Sequence, residues 1–229
     1  MDFGLRTSDF GLRTKTLFTS HFSLLIMKIL CIGMNYHAHL AELNNPVPEE
    51  PVFFMKPESA LIRAGLPFFY PDFSKEVHYE VELVLRISKV GKHIQERFAH
   101  TYYQEIGVGI DFTARDLQRE CRQKGLPWEM AKAFDGSGPV SKFVPLQSLK
   151  NPADIAFSLK KNGELVQQGR SSDMIFNFNQ LISYVSKYTT LKMGDLLFTG
   201  TPSGVGPVQI GDHLEAFLED QKMLDIKVK

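Results

Sequence analysis

The stretch that decides the fold is HYEVELVL, residues 78–85. Its side chains alternate as in a β-strand, so Glu80 and Glu82 point to one face and the apolar residues to the other. Two adjacent carboxylates repel each other unless they are well solvated or a cation lies between them. The apolar residues that follow indicate a strand that enters the core, where water is scarce. The pair therefore favours a bound cation.

A third acid, Asp111, closes a second predicted strand, residues 106–110. If this strand lies beside the first, three carboxylates converge on one point. Oxygen ligands of this kind suit a hard divalent cation such as Mg²⁺, Mn²⁺ or Ca²⁺. The three acids are thus the predicted metal ligands around which the rest of the chain is organised.

The composition argues against several classes of partner. The 229 residues include 26 Lys and Arg and 26 Asp and Glu, so no net basic charge favours nucleic acid. No apolar run reaches the length of a bilayer-spanning helix, so no membrane partner is expected. One bridge between Cys31 and Cys121 is possible in principle, but two cysteines make no disulfide framework. We therefore expect a reduced, cytoplasmic protein.

The first 26 residues differ from the rest of the chain. They contain the sequence DFGLRT twice, at residues 2–7 and 9–14, followed by scattered apolar residues without a cleavage site of signal-peptide type. We expect residues 1–26 to be an extension outside the fold, with Met27 as a possible natural start, and residues 27–229 to form a single domain. An ordered N-terminal arm is the alternative.

Short strands separated by turns predict a β-rich α+β domain with short helices. Asn162-Gly163 is a strong two-residue turn signal inside a predicted hairpin, residues 154–169. Other strands are predicted at residues 28–32, 52–55, 68–70 and 196–198, and helices at 96–105, 113–124 and 173–188.

His39 and Glu42 lie three residues apart on a predicted helix that begins near Asn35, so they share a face. A carboxylate beside an imidazole orients the ring and raises its basicity, as a water-activating base requires. Two surface residues on a short helix would show the same spacing, and this spacing alone favours that interpretation.

Arg115 and Gln118 share a face of the helix that Thr113 is predicted to cap, with Asp116 completing a capping box. Arginine suits a substrate carboxylate because its guanidinium can donate two parallel hydrogen bonds. A solvated basic helix is an equal alternative, because Arg119, Arg122 and Lys124 follow on it.

Two lysines and a glycine-rich loop complete the candidates. Lys132, between alanines, could be held partly buried and stabilise negative charge. Lys56 is either a cation near the site or simply a strand-end lysine, and the second interpretation is slightly favoured. The loop at residues 199–206 can direct backbone N–H groups and a hydroxyl at an anion, but it lacks the glycine spacing of nucleotide-binding loops.

Taken together, these segments resemble the fumarylacetoacetate hydrolase family over residues 28–229, and the GLPW segment at 125–128 resembles its small acylpyruvase and oxaloacetate decarboxylase branch. The matching motifs, in family order, are Asn35-Tyr36-x-x-His39-x-x-Glu42, Phe54-x-Lys56-Pro57, His78-x-Glu80-x-Glu82, Asp111-x-Thr113-Ala114-Arg115-Asp116-x-Gln118, Lys132-x-Phe134-Asp135 and Thr199-Gly200-Thr201-Pro202-x-Gly204-Val205-Gly206.

The resemblance implies mixed β-sheets rolled into a flattened barrel, and a homodimer. One departure is Met34, where many relatives carry Arg or Lys; if that cation holds a second carboxylate in them, its absence weakens the preference for a dicarboxylate. The roles implied by the resemblance are Mg²⁺ or Mn²⁺ ligands, with Ca²⁺ as a possible substitute (Glu80, Glu82, Asp111), a water-activating pair (His39, Glu42), an enolate-stabilising cation (Lys132) and contacts to the substrate carboxylate (Arg115, Gln118, Thr201).

These roles lead to the hypothesis of a metal-dependent hydrolase of acylpyruvate-type 2-oxo acids. Water deprotonated by His39 would attack the distal carbonyl, and pyruvate would leave as an enolate held at the metal. Oxaloacetate decarboxylation and isomerisation or tautomerisation, as in a 2-hydroxyhepta-2,4-diene-1,7-dioate isomerase, would use the same enolate and remain alternatives. A non-catalytic, metal-stabilised binding protein is an alternative of a different class.

Overall fold

Three β-sheets and short helices make up the computed structural model, which describes residues 27–42, 44–62 and 65–229. Residues 1–26 lie outside the described part of the chain, so the extension and the domain boundary stay predictions. The strands are β1 (Ile29–Gly33), β2 (Val52–Lys56), β3 (Val77–Tyr79), β4 (Val81–Ile87), β5 (Tyr103–Ile110), β6 (Thr113–Ala114), β7 (Val144–Pro145), β8 (Ala156–Lys161), β9 (Glu164–Arg170), β10 (Leu196–Phe198), β11 (Gly206–Pro207), β12 (His213–Leu218) and β13 (Gln221–Lys227). The α-helices are α1 (His37–Glu42), α2 (Glu96–Ala99), α3 (Arg115–Lys124), α4 (Glu129–Lys132) and α5 (Phe178–Tyr188).

The strands form a mixed six-stranded sheet in the order β2-β1-β10-β4-β5-β7. A three-stranded sheet has the order β11-β3-β6, and a four-stranded sheet the order β13-β12-β8-β9. This architecture confirms the predicted β-rich α+β class. The sheets stay separate, so the described residues form no closed barrel. Within the same residues, no helix is long and apolar enough to cross a membrane.

The sequence predicts one continuous strand over residues 78–85, and this prediction is wrong. The stretch is interrupted at Glu80, between the end of β3 and the start of β4, and the two strands belong to different sheets. Every residue from Val81 to Leu85 is buried, because β4 lies in the middle of the large sheet with apolar side chains on both faces. The predicted alternation holds within β4: Val81, Leu83 and Leu85 pack in one hydrophobic cluster, whereas Glu82 and Val84 alternate with them and Val84 packs in another.

The split at Glu80 creates a joint between the large and the small sheet. β4 pairs with β5, with Val81 opposite Ile110, and β3 pairs with β6. Both chain segments thus pass from one sheet to the other side by side. At the crossing, the backbone N–H of Asp111 donates to the carbonyl oxygen of Glu80 at 2.8 Å. The predicted neighbourhood of Asp111 and the two glutamates follows from this pairing.

Local sequence patterns predicted most of the strands and helices, but several predicted ends differ from the observed ones. The 154–169 hairpin is confirmed, and Asn162 and Gly163 both adopt positive φ angles (54° and 87°), as its tight turn requires. Residues 68–70 form no strand; only one bridge joins Phe68 to Val228. The predicted 96–105 helix ends at Ala99, because a 3₁₀ turn and then β5 follow.

Helix α5 begins at Phe178, five residues later than residue 173, where the sequence predicts its start. Asn177 sets the start: its side-chain oxygen accepts from the backbone N–H groups of Asn179 and Gln180, at 3.0 and 3.1 Å. The Gln180 side chain accepts in turn from the Asn177 N–H at 2.9 Å, which completes a capping box.

We expect Asn177→Ala to lower the free energy of unfolding by about 1 kcal/mol, because two N–H groups at the start of α5 lose their acceptor. In a domain of this size the melting temperature should fall by about 2–4 °C. Asn177→Asp is the matched control, since it keeps the acceptor oxygen and should retain most of the stability. Equal melting temperatures for Asn177→Ala and the wild type would contradict the assigned cap.

Candidate metal and enolate site

Three buried carboxylates meet at the joint between the sheets. Glu80, Glu82 and Asp111 are 5%, 1% and 1% exposed, and one oxygen of each lies within 4.8 Å of the others. The structure thus brings together the three acids that the sequence singled out, although they do not share one continuous strand. Three charges so close and so well buried require compensation by cations.

Lys132, at the end of α4, supplies one of these cations. Its ammonium group donates to Glu80 at 2.8 Å, to Asp111 at 2.7 Å and to the hydroxyl of Thr113 at 2.6 Å. Burial by itself lowers the pKa of Lys132, but the two carboxylates outweigh it and raise this pKa above its usual value. The side chain is therefore charged and fully engaged, and it is more deeply buried than the sequence predicted.

Lys56 is a second cation of the site, and its interpretation as a simple strand-end lysine is wrong. Its side chain is fully buried, and its ammonium group lies 2.8 Å from one Asp111 oxygen, Oδ1. The same ammonium group also donates to the backbone oxygen of Lys132 and to the carbonyl and hydroxyl oxygens of Ser137. Lys56 therefore places a buried positive charge against Asp111.

The three acids have the geometry and the chemistry to bind a divalent cation. Asp111 Oδ1 is buried, and its contact with the Lys56 ammonium group lacks hydrogen-bond geometry. Buried carboxylate oxygens normally accept well-aligned hydrogen bonds, so an oxygen without one beside two other acids suits a metal ligand. The donor set consists of carboxylate oxygens alone, which Mg²⁺ and Mn²⁺ prefer.

The environments of the two glutamates shift their pKa values in opposite directions. Burial raises the pKa of Glu80, but the charges of Lys132 and Arg115 outweigh it and hold this pKa well below the usual range. Burial, followed by the charges of the other two acids, raises the pKa of Glu82 well above the usual range. The N–H of Gly200, which donates at 2.6 Å, and then the charge of Lys132 oppose that rise. Glu82 is thus the acid that most lacks a positive neighbour.

Arg115 and Gln118 lie beside the acids, as predicted, and both are nearly buried. The guanidinium group of Arg115 donates to Glu80 at 2.5 Å and to the Gln118 side-chain oxygen at 2.6 Å. Arg115 therefore holds a predicted metal ligand in this structure, whereas the side-chain N–H groups of Gln118 face no acceptor among the described residues.

The capping box predicted at the start of α3 is wrong. Thr113 belongs to β6, and its hydroxyl donates to the carbonyl oxygen of Asp111 at 3.2 Å and accepts from Lys132. Asp116 accepts from the hydroxyl of Ser74 at 2.7 Å and from the N–H of Lys75. Thr113 does not cap the helix, because the pairing of β3 with β6 fixes it in a strand.

His39 and Glu42 form the predicted pair on α1. The Nδ1 atom of His39 lies 3.2 Å from a Glu42 oxygen, and the N–H of Gly204 donates to both Glu42 oxygens at 3.2 Å. Gly204 has a φ of 93°, and a Cβ atom there would lie 2.4 Å from the carbonyl oxygen of Val166. Only glycine fits, so the glycine-rich loop does aim an N–H group at an anion, which here is Glu42.

Thr201 is positioned by a residue that the sequence did not single out, Gln167 on β9. The buried Gln167 side chain donates to the Thr201 hydroxyl at 2.9 Å and to the Pro202 carbonyl at 3.0 Å, and it accepts from the Val81 N–H at 2.9 Å. Because the Thr201 oxygen accepts here, its own hydrogen is left for another acceptor. Gln167 also ties the four-stranded sheet to the start of β4, between the two glutamates.

One cleft opens onto this cluster, and eight of the nine predicted site residues line it. The exception is Glu42, which lies behind His39. The other lining residues are Ile32, Gly33, Met34, Asn45, Phe54, Arg122 and Trp128.

Residues 28–229 match the family described as fumarylacetoacetate (FAA) hydrolase, C-terminal. The chain belongs to the fumarylacetoacetate hydrolase family. It is 45% identical over 201 residues to the oxaloacetate tautomerase FAHD1, mitochondrial, of Mus musculus, covering 88% of this chain and 91% of that protein. It is 44% identical over 190 residues to the oxaloacetate tautomerase YcgM of Escherichia coli, covering 82% and 87%. A crystal structure of fumarylpyruvate hydrolase from Pseudomonas aeruginosa in complex with Mn²⁺ and pyruvate is similar, with a TM-score of 0.83, 36% identity and 89% coverage of both chains.

Two of the lining residues that were not predicted as site residues could have been found from the sequence. Trp128 belongs to the GLPW segment, which carried the resemblance to one branch of the family. Arg122 follows Gln118 by four residues and Arg115 by seven, so all three lie on one face of α3. That spacing could have placed Arg122 in the cleft, although a solvated basic helix explains the same residue equally well from the sequence.

We expect Lys56→Met to lower the free energy of unfolding by about 3 kcal/mol in metal-free buffer, because Asp111 would keep a buried charge with one cation fewer. Urea denaturation measures this change. Lys124→Met is the control: its partner Glu120 is exposed, so the unfolding midpoint should stay where it is. If both variants unfold like the wild type, Lys56 does not stabilise the cluster.

Proposed function

We propose that this chain is a metal-dependent enzyme that enolises 2-oxo acids, and that its reaction is keto–enol tautomerisation of oxaloacetate. The observation that carries the proposal is the buried cluster of three carboxylates with a charged lysine donating into it. The mouse and Escherichia coli relatives support the choice of reaction, because both are named oxaloacetate tautomerases and align over most of their length.

Glu80, Glu82 and Asp111 would hold Mg²⁺ or Mn²⁺ with one oxygen each. Bound there, the cation supplies Lewis-acid stabilisation of negative charge on the 2-oxo oxygen of the substrate. The Mn²⁺ in the Pseudomonas aeruginosa hydrolase structure supports this assignment.

The formal charges of the cluster favour a dianionic substrate. The carboxylates are matched by an equal number of buried cations, so the site is balanced before a metal binds. A divalent cation adds two positive charges, which a doubly negative 2-oxo acid would offset. The balancing groups are Glu80, Glu82 and Asp111 on one side and Lys56, Lys132 and Arg115 on the other.

His39 is the proposed proton carrier at C3 of the substrate. A carboxylate only accepts hydrogen bonds, so the Glu42 contact places the ring proton on Nδ1 and leaves Nε2 free to accept one. Nε2 would take the C3 proton, the C2–C3 double bond would form, and the electron pair would move to the 2-oxo oxygen. Transfer of that proton from Nε2 to the negatively charged oxygen gives the enol, and the same steps in reverse return the keto form.

The remaining residues position the substrate and stabilise charge. Lys132 is a buried ammonium group beside the place where the oxygen becomes negative, which is the geometry of electrostatic stabilisation. The hydroxyl of Thr201 and the side-chain N–H groups of Gln118 are the donors available for the substrate carboxylate. Arg115 would act through Glu80.

Hydrolysis of an acylpyruvate is the second candidate. The orientation of His39 by Glu42, itself fixed by Gly204, favours it, because an oriented imidazole can equally take a proton from water. Hydroxide would then attack the distal carbonyl, the C–C bond would break, and its electrons would go to the pyruvate enolate. The fumarylpyruvate hydrolase structure supports this alternative, and oxaloacetate decarboxylation would use the same groups.

We expect Mg²⁺ or Mn²⁺ at about one hundred times its dissociation constant to stabilise the protein by about 2.7 kcal/mol, which is about 5–10 °C in melting temperature. Glu82→Gln should abolish this rise, although the metal-free variant should be no less stable than the wild type, since a buried charge is removed. Glu120→Gln, an exposed change of the same charge, should respond to metal like the wild type. If metal raises the melting temperature of Glu82→Gln as much as that of the wild type, Glu82 is not a metal ligand.

We expect the protein with Mg²⁺ to accelerate enol–keto interconversion of oxaloacetate, followed by the loss of enol absorbance, and a chelator to stop it. His39→Gln should lower kcat by about 10²–10⁴-fold because the proton carrier is lost. His37→Gln, an exposed histidine on the same helix, is the matched control and should retain full activity.

Parallel assays of acetylpyruvate cleavage and of pyruvate release from oxaloacetate separate the alternatives. Cleavage of acetylpyruvate without tautomerisation would replace the first candidate with hydrolysis. If the metal stabilises the protein but no 2-oxo acid is turned over, the non-catalytic binding protein is the remaining candidate. The homodimer stays a prediction, and so does the cytoplasmic location, since the mouse relative is named as mitochondrial.

A further inference from the structure

We propose that Arg122 binds the second carboxylate of the substrate and so selects dicarboxylic 2-oxo acids over monocarboxylic ones. This inference rests on the proposed function, because it names the substrate class of the same cleft. It also reverses the expectation drawn from Met34, which lines the cleft without a charge.

Arg122 differs from the other cations that line the cleft in having no carboxylate partner. Arg115 pairs with Glu80, and Lys132 pairs with both Glu80 and Asp111. No Asp or Glu of the described chain lies within ion-pair distance of Arg122. Its charge is therefore available to an anionic ligand.

The one side-chain hydrogen bond of Arg122 to a described residue points to the mouth of the cleft. Its guanidinium group donates at 2.8 Å to the side-chain oxygen of Asn45, which also lines the cleft. Arg122 is exposed and Asn45 half-buried, so this bond lies at the solvent end. It holds the guanidinium over the opening and uses one of its five N–H groups.

The position of Arg122 on α3 suits the far end of a bound substrate. Arg115, Gln118 and Arg122 lie on one face of the helix, and Arg122 is about 10 Å further along the axis than Arg115. Arg115 contacts the metal-binding acids, where the 2-oxo acid end is expected. A carboxylate at the other end of the molecule would meet Arg122, whose planar guanidinium can hold it with two hydrogen bonds.

Pyruvate and oxaloacetate test this inference, because they share the 2-oxo acid end and differ by one carboxylate. Their dissociation constants would be measured by calorimetry at fixed Mg²⁺. We expect the wild type to bind oxaloacetate more tightly than pyruvate. Arg122→Gln should weaken oxaloacetate binding about tenfold and leave pyruvate binding within about twofold.

Two variants control for charge and geometry. Arg119→Gln makes the same change of net charge on the same helix, but Arg119 pairs with Glu76, so both ligands should bind as to the wild type. Arg122→Lys keeps the charge without the planar fork and should recover part of the loss. In turnover assays, Arg122→Gln should raise KM for oxaloacetate about tenfold with kcat little changed.

Equal weakening of both ligands by Arg122→Gln, or no weakening of either, would overturn the inference. So would a wild type without preference for oxaloacetate. Selective binding without turnover would leave the inference standing and overturn the proposed function instead, so the two failures are distinguishable.

Discussion

Mutual repulsion of three buried carboxylates is the constraint on which the rest of this structure depends. Glu80, Glu82 and Asp111 meet where two sheets join, nearly out of reach of water. Such charges destabilise a fold unless cations lie among them. Lys132 and Arg115 meet this requirement at Glu80, whereas burial, followed by the charges of the other two acids, keeps the pKa of Glu82 raised. The protein therefore holds a preformed site whose formal charges balance but in which no described residue forms an ion pair with Glu82, which suits the binding of a metal ion there.

Much of the fold could be predicted from the sequence, because its signals are local. The hairpin turn at Asn162-Gly163, the short strands and the apolar stripe of α5 depend on neighbouring residues alone. The proximity of Asp111 to the glutamates followed from one further assumption, that two apolar strands pair. The ends of elements were less predictable, since pairing partners far along the chain, as for Thr113, override a local cap pattern.

Only part of the candidate site could be predicted, because contacts with residues far along the chain leave no local pattern. All its acids and the His39–Glu42 pair come together, but the burial of Lys56 could not be read from its surroundings in the sequence. Lys56 contacts Asp111, Lys132 and Ser137, which lie more than fifty positions away. Gln167 likewise acts through residues in other elements. The roles assigned to these residues in catalysis stay predictions.

The loop at residues 199–206 has a consequence for how loss of function would be interpreted. The N–H of Gly200 donates to Glu82 and the N–H of Gly204 to Glu42, so one short segment supports both the proposed cation site and the pair that includes the proposed proton carrier, His39. A disturbance anywhere along it would impair ion affinity and proton transfer in concert. Damage remote from the reacting atoms could then mimic the removal of a catalytic group, and the two origins would be separable only by measuring cation affinity and turnover independently.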